Sequence, residues 1–442
     1  MVVLPCCSAQ GQAPPNLTLP QAVARALEAN PMRAAAVADR DAAASGVREA
    51  RAELLPSVSF SEGFTRSTDP VFVFGTKLRQ ERFTAADFAL AELNTPAPIN
   101  NFSTRIWTEW SLFDSGGKLF KLARSKRLSE AADLRFERTE QEIAFRAVEA
   151  YLAVLEAEKQ RQVAEQSLRT AEAVRDRSQA RVAAGVAVES DLLSARVNLA
   201  ERQHQLLLAD NAAKLARAQL NSVLGEQMGT GFELAEVSDA APPAVEPLEA
   251  LEQQALAKRP DLRRIEAQLA AQAKSVSAAK SAFGPRVNLF AGWEAHNQEL
   301  TSGGNTNWTG GVELQFDLFQ GGAKAARLSR ERAGAARLAA LRQAAQDAVR
   351  LEVRRAYYDL DAARQHVEVM RAAMSEAGES LRITQNRYDA GLNTITDLLR
   401  VEETSRRTQS DYWGAVFRLR RAQAALELAT GILGPHSPAV QP

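Results

Sequence analysis

Two carboxylates stand in matching surroundings 206 positions apart, Asp191 and Asp397, each followed by Leu-Leu and each six residues beyond a glycine, Gly185 or Gly391. Thr394 precedes Asp397 by three residues, the spacing of a capping box, in which hydroxyl and carboxylate satisfy the free amides of a first helical turn. That is structural rather than catalytic chemistry. His204, His296, His366 and His436 are scattered without a His-Glu-x-x-His run or a partner at ligand spacing, and read as surface or loop residues. No Gly-rich loop joins a buried strand to a helix, and no nucleophile sits beside a base. Cys6 and Cys7 are the only cysteines, so no disulfide framework or thiolate metal site holds the body of the chain. The expectation is a protein that is no enzyme, with no cofactor and no metal.

The balance of charges agrees. Lys and Arg number 54 and Asp and Glu 54, a zero net charge that argues against a nucleic-acid partner, which needs a basic excess for phosphate. No run approaches the roughly 20 apolar residues of a spanning helix. Composition by itself reads as a neutral, helix-rich, soluble protein. The first residues, Met1 to Ala9, are apolar and end on a small residue but lack a basic start, so 1–16 reads as an export-signal remnant or disordered end.

What positions the carboxylates is a tandem repeat. Pro31 and Pro56 are answered by Pro260 and Pro285, 229 positions on. Leu112-Phe, Ala150-Tyr151, Arg181-x-x-Ala-Gly185, Asp191-Leu-Leu and Gly225 are answered 206 positions on, so the first copy carries 229 − 206 = 23 extra residues between Pro56 and Leu112. The copies span 17–225 and 248–434. A linker, 226–247, contains Pro242, Pro243 and Pro247, and a tail, 435–442, follows.

Each copy changes period twice. Residues 19–53 read as one helix closed by Pro56, because Ala, Leu, Arg and Glu favour helix. Strands of about ten residues follow, with period-two alternation: Val58, Phe60 and Phe64 against Ser57, Ser59 and Ser61; Phe102 to Leu112; Val287 to Glu294; and Val312, Leu314, Phe316 and Leu318 against Glu313, Gln315 and Asp317. One face is apolar and the other carries full charges, the pattern of a bilayer-spanning β-barrel or of a sheet packed on helices with one wet face. From Lys118 to about Val182 and from Lys324 to about Tyr388 each copy runs without proline, roughly 100 Å of helix at about 1.5 Å per residue, ended by Gly185 or Gly391 as C-cap. A returning helix of about 35 residues ends near Leu224 or Ile432. Such arms need neighbouring helices in coiled-coil contact, and four strands leave two unpaired edges, which a bilayer does not tolerate.

The chain resembles the TolC-like outer-membrane efflux proteins over roughly 17–434. The resemblance rests on Asn30-Pro31, Leu-Pro56 and Gly-Pro285, Leu-Phe-x-x-Gly at 112–116 and 318–322, and Arg387-Tyr-Asp-Ala-Gly391-Leu-Asn-Thr-Ile-Thr-Asp397-Leu-Leu. It implies a mostly α protein with membrane β: a homotrimer whose four strands per chain form a 12-stranded barrel in outer-membrane lipid, continued by a helical periplasmic barrel. It further implies a passive exit duct of a tripartite efflux or type I secretion system, joined through a periplasmic adaptor (membrane fusion) protein to an inner-membrane pump of RND or ABC type. By the same resemblance Asp397 and Asp191 fall at the pore constriction, Gly185, Val186, Gly391 and Leu392 at adaptor-contacting hairpin tips, and Arg387, Tyr388 and Thr394 support the tip. Arg400 and Asn393 depart from the acidic and basic residues some members carry there. The extra residues of copy 1 become an outer loop whose aromatics Phe72, Phe74, Phe83 and Phe88 plug the exit, pack the loop on itself or rim the membrane. The alternative, a periplasmic coiled-coil adaptor or scaffold without a pore, explains the hairpins but not the four alternating strands. A helical-repeat hydrolase lacks its nucleophile and base.

Overall fold

The computed structural model describes residues 16–237, 246–300 and 305–441, and helices dominate it. Strand β1 (Asn16–Leu17) leads into α1 (Leu19–Ala29) and α2 (Pro31–Ala52). The single helix expected over 19–53 is therefore broken. Asn30 has ψ 126°, because the ring of Pro31 excludes the helical region for the residue before it. After β2 (Ser57–Ser67) come α3 (Pro70–Arg79), a 3-10 turn at Ala85–Phe88, α4 (Leu90–Asn94) and β3 (Ile99–Phe113). Helices α5 (Gly117–Ala183) and α6 (Glu189–Leu224), then β4 (Glu233–Leu234), complete the first half. The second comprises α7 (Leu248–Lys258), α8 (Pro260–Ser281), β5 (Arg286–Asn297), β6 (Asn305–Gln315), α9 (Ala323–Asp389) and α10 (Ile395–Thr430). Helix lengths match between halves: 11, 22, 67 and 36 residues in each.

The chain separates into two compact units, the first drawn from Met1–Arg40, Ala132–Arg264 and Arg342–Pro442, the second from Asp41–Ala131 and Ile265–Leu341. The second holds an antiparallel sheet in the order β2-β3-β5-β6. Its register places Ser61, Arg105 and Glu294 on one face, with Arg105 and Glu294 paired at 2.6 Å, and Phe60, Ile106, Trp293 and Trp308 in one cross-strand row on the other. All four of that row are exposed, Trp308 by 82%. On the polar face Trp107 stacks on Phe290 and lies over Gly292, where an added Cβ would come 2.4 Å from the ring; Phe290 likewise covers Gly311. Flat aromatics resting on a neighbouring strand's glycines restore packing those glycines cannot supply. β6 stops at Gln315, so Phe316 and Leu318 lie beyond the strand expected to include them. Asp317 there pairs with Arg286 at 2.8 Å and Lys324 at 3.5 Å, contacts that replace the ladder.

The extra residues of copy 1 are helical. Asp69 caps α3 by accepting from Phe72 N–H at 2.7 Å, and Pro70 takes the first-turn position where no amide proton is needed. Phe83 meets Phe74 and Phe88 edge-on at 4.7 and 5.1 Å, so these rings pack the segment on itself. Gln80 Nε2 donates to Asn100 O and Asn101 Oδ1, and the Asn101 amide lies 3.2 Å from His296 Nδ1. His296 is thus buried, against its expected surface position, because this segment covers it. His204 and His436 are exposed and His366 half-buried on α9.

In the first unit, Ala147, Tyr151, Val154 and Leu155 of α5 share a core with Val23 of α1 and Leu220 and Leu224 of α6. Tyr151 Oη lies 2.9 Å from Leu17 O and 2.7 Å from Ala235 O, binding the β1-β4 pair to α5; burial pushes its pKa up to about 12. Val353 and Leu360 of α9 pack with Leu251 of α7 and Leu419 of α10. At the end of α10, Arg259 donates to Ala429 O, Arg138 to Leu428 O and Gln141 to Gly431 O, placing two cations and an amide donor at the carbonyls of the helix end. The tail packs inward through Val440. Of the linker, Pro242 and Pro243 lie outside the described residues.

Candidate functional site

Both long helices of the first unit end on the same motif. Val186 N–H reaches Arg181 O and Gly185 N–H reaches Val182 O, both at 3.0 Å; Leu392 and Gly391 repeat this onto Arg387 O and Tyr388 O at 2.8 and 2.9 Å. This closure needs a left-handed residue, and Gly185 and Gly391 have φ 69° and 76°. The turn leaves Val186, Val188 and Leu392 more than 60% exposed, an apolar tip on each hairpin.

The two restarts differ. Thr394 caps α10: Asp397 N–H donates to its hydroxyl at 3.2 Å, while the Thr394 hydroxyl and N–H donate back to Asp397 Oδ2 at 2.7 and 3.3 Å. Those bonds from Thr394 hold the Asp397 carboxyl below its ordinary range, so it is ionised at neutral pH. Arg400 stands 3.8 Å from it. Helix α6 is preceded at its N-cap by Val188, which has no capping side chain, and Asp191 offers its N–H to Val188 O at 3.0 Å. Asp191 and Asp397 are both half-exposed.

Contacts between the hairpins, invisible at sequence level, hold the tips together. Arg181 Nη1 donates to Tyr388 O at 2.7 Å, and its guanidinium lies 4.9 Å from the centre of the Tyr388 ring. Tyr388 is buried with Val174, Ala195, Ile395 and Leu398, and its hydroxyl is 3.2 Å from Ser178 Oγ. Arg177 Nη1 reaches both oxygens of Asp389 at 3.1 Å. Arg387 Nε donates to Asn393 Oδ1 at 3.0 Å within its own turn. The tip-support residues therefore do separate things: Thr394 caps, Tyr388 anchors, Arg387 braces the loop. Arg181 and Arg177 carry the link between hairpins; the repeated Arg before each tip glycine is the only sequence signal for Arg181.

The chain carrying these arms, tips and sheet matches one family model, Outer membrane efflux protein, over residues 22–226 and again over 251–432. The chain belongs to the outer membrane efflux protein family. Membership locates it at the outer membrane, in a family of transport channels. Among relatives of this efflux protein, Protein CyaE of Bordetella pertussis is 28% identical over 342 residues, 76% of this chain and 72% of that one. The pyoverdine export outer membrane protein OpmQ of Pseudomonas aeruginosa is 25% identical over 405 residues, 90% and 82% of the two chains. The Campylobacter jejuni CmeC outer membrane channel shares the fold, with a TM-score of 0.80 at 17% identity over 95% of this chain and 87% of that one.

Proposed function

We propose that this efflux protein is one of three identical subunits of an outer-membrane channel, the passive exit duct of a tripartite efflux or type I secretion system. The observation that carries the reading is the sheet. Its Phe60-Ile106-Trp293-Trp308 row is exposed, and both edge strands, β2 and β6, are 11 residues long and unpaired on their outer sides. In lipid every backbone amide must find a partner, so an open four-stranded sheet needs closure, and three copies supply 12 strands. The helices support the same stoichiometry. Val369 and Ile383, and Leu351 and Tyr358, are exposed on α9 at separations of 14 and 7, multiples of a heptad that suit packing against a further helix.

On this reading each protomer contributes repeats 17–225 and 248–434 joined by 226–247, and its helices form the periplasmic part of the duct. Asp397 and Asp191 ring the narrow entrance, where like charges from three subunits repel and favour cations. Gly185, Val186, Gly391 and Leu392 meet a periplasmic adaptor, which couples the duct to an RND or ABC pump. Cysteines paired across β2 and β6 of different copies test the closure. The expected product in the membrane is a covalent trimer that still conducts in planar bilayers; a monomer that cross-links only within itself refutes it.

A further inference from the structure

Five residues beyond Asp397, on the same helix, Glu402 is 5% exposed, and neither carboxyl oxygen has a hydrogen-bond partner. The nearby cations are engaged elsewhere. Arg202 of α6, itself buried, donates from Nη1 to Glu403 at 2.6 Å and from Nε and Nη2 to Asn198 at 3.2 and 3.1 Å. Arg406 closes on Glu403 through Nε and Nη2 at 3.0 and 2.6 Å, and these bonds, Arg406 first, bring Glu403 down to about 2. One glutamate takes both guanidinium groups and its neighbour receives none. Asn198 Nδ2 and Ser167 Oγ of α5 are also buried without partners. Ser167 lines a cavity of about 290 Å³ together with Arg202 and Arg406.

A carboxylate in such a place is shielded from solvent and has no protein donor, and a buried unpaired charge relaxes either by taking a proton or by moving its helix. The charges acting on Glu402 are Arg202 from α6, which favours ionisation, and Glu403 from α10, which opposes it. We propose that Glu402 is a proton-controlled latch on the hairpin end: neutral, it lets α10 stay packed on α6; ionised, it drives the part of α10 that carries Asp397 out of that packing.

The direction follows from burial, which pushes Glu402 from an ordinary 4.5 up to about 7. The packed state binds the proton more tightly than the loosened one. It is favoured fully below the ordinary carboxyl range, and that preference is lost as pH rises through about 7. Each pH unit inside the window shifts the packed-to-loosened ratio by up to about tenfold. The proposal rests on the channel reading only for its functional consequence, a wider or more dynamic entrance at neutral and alkaline pH.

Hydrogen exchange of the full-length protein in detergent, corrected for intrinsic rate at pH 5 to 8.5, tests the latch without reference to conduction. Amides of 395–410 are expected to lose protection with a midpoint near 7, by tenfold or more across the range. Glu402→Gln and the apolar Glu402→Met should remain protected throughout, while Asp397→Asn should keep the wild-type midpoint. A wild-type profile without a midpoint, or the same midpoint in Glu402→Gln, overturns the latch. Planar-bilayer recordings of the same samples separate the two ideas: absence of conductance in every variant refutes the channel, whereas conductance with pH-independent exchange refutes the latch alone.

Discussion

Replacing Arg181 with Ala should loosen the twin tips more than any other single change among the contacts joining them. Arg181 makes a charged hydrogen bond to the Tyr388 carbonyl at 2.7 Å and covers the Tyr388 ring at 4.9 Å. A charge-assisted bond to a partly buried acceptor contributes about 1.5–3 kcal/mol, and a partly exposed cation–π contact about 0.5–1 kcal/mol. Together they give roughly 2–4 kcal/mol, or about 30- to 700-fold in the local opening equilibrium at about 1.4 kcal/mol per tenfold. Arg177 and Asp389 are each more than 40% exposed, and an ion pair of that kind is worth about 0.2–1 kcal/mol. Arg177→Ala should therefore open the tips only a few-fold. If three subunits open together, the Arg181 terms add to roughly 6–12 kcal/mol. Hydrogen exchange across 381–395 reports the per-chain loss, and single-channel recordings report the open probability. The ranking is the test. If Arg177→Ala accelerates exchange and Arg181→Ala does not, the tips are held by the exposed pair and the reasoning from the carbonyl bond fails.

Arg259→Met leaves Glu352, Asp261 and the Ala429 carbonyl without their shared partner and should cost about 3–5 kcal/mol, read as a lower denaturation midpoint. The Asp261 carboxyl is raised by burial but held below its ordinary value by Arg259, so this contribution is present above the usual carboxylate range and is lost as acid carries the folded group through its depressed pKa; an acid titration should show the loss in wild type and not in Arg259→Met. Tyr151→Phe removes one buried hydrogen bond and should cost about 1–2 kcal/mol, against about 3–5 kcal/mol for Tyr151→Ala, and limited proteolysis near Ala235 should follow that order. Gly292→Ala drives a Cβ into Trp107 and should reduce assembled trimer on unheated gels; Trp107→Ala in the same chain should restore it.

What the sequence revealed was whatever one segment decides for itself. Gly185 and Gly391 mark helix ends because a left-handed residue is required wherever they stand, and alternation in 57–67 assigns the faces of β2 without knowledge of β3. The residues after Asp69-Pro70 read only as an outer loop, because the Val and Phe there favour strands over helix, and packing decided for α3. His296 became a buried residue through Asn101, 195 positions away, and Arg181 found Tyr388 across 207. Contacts at that separation leave no local period. The carboxylates 397 and 402 show the same limit: the capping box of Asp397 is written in four residues, Thr394 to Asp397, whereas the isolation of Glu402 depends on a different helix having already committed its arginine.

The copies differ in length, yet their helices do not, because the whole surplus is confined to the strand-to-strand connection at 68–98. That connection carries its own small core of three rings and its own ion pair, Lys77 with Asp87 at 2.7 Å. Its size is therefore uncoupled from the register of everything else. Selection can lengthen, shorten or resurface this stretch while the arms and strands keep their alignment, so it is where close relatives should diverge fastest, and where a foreign peptide can be grafted with the least disturbance to assembly.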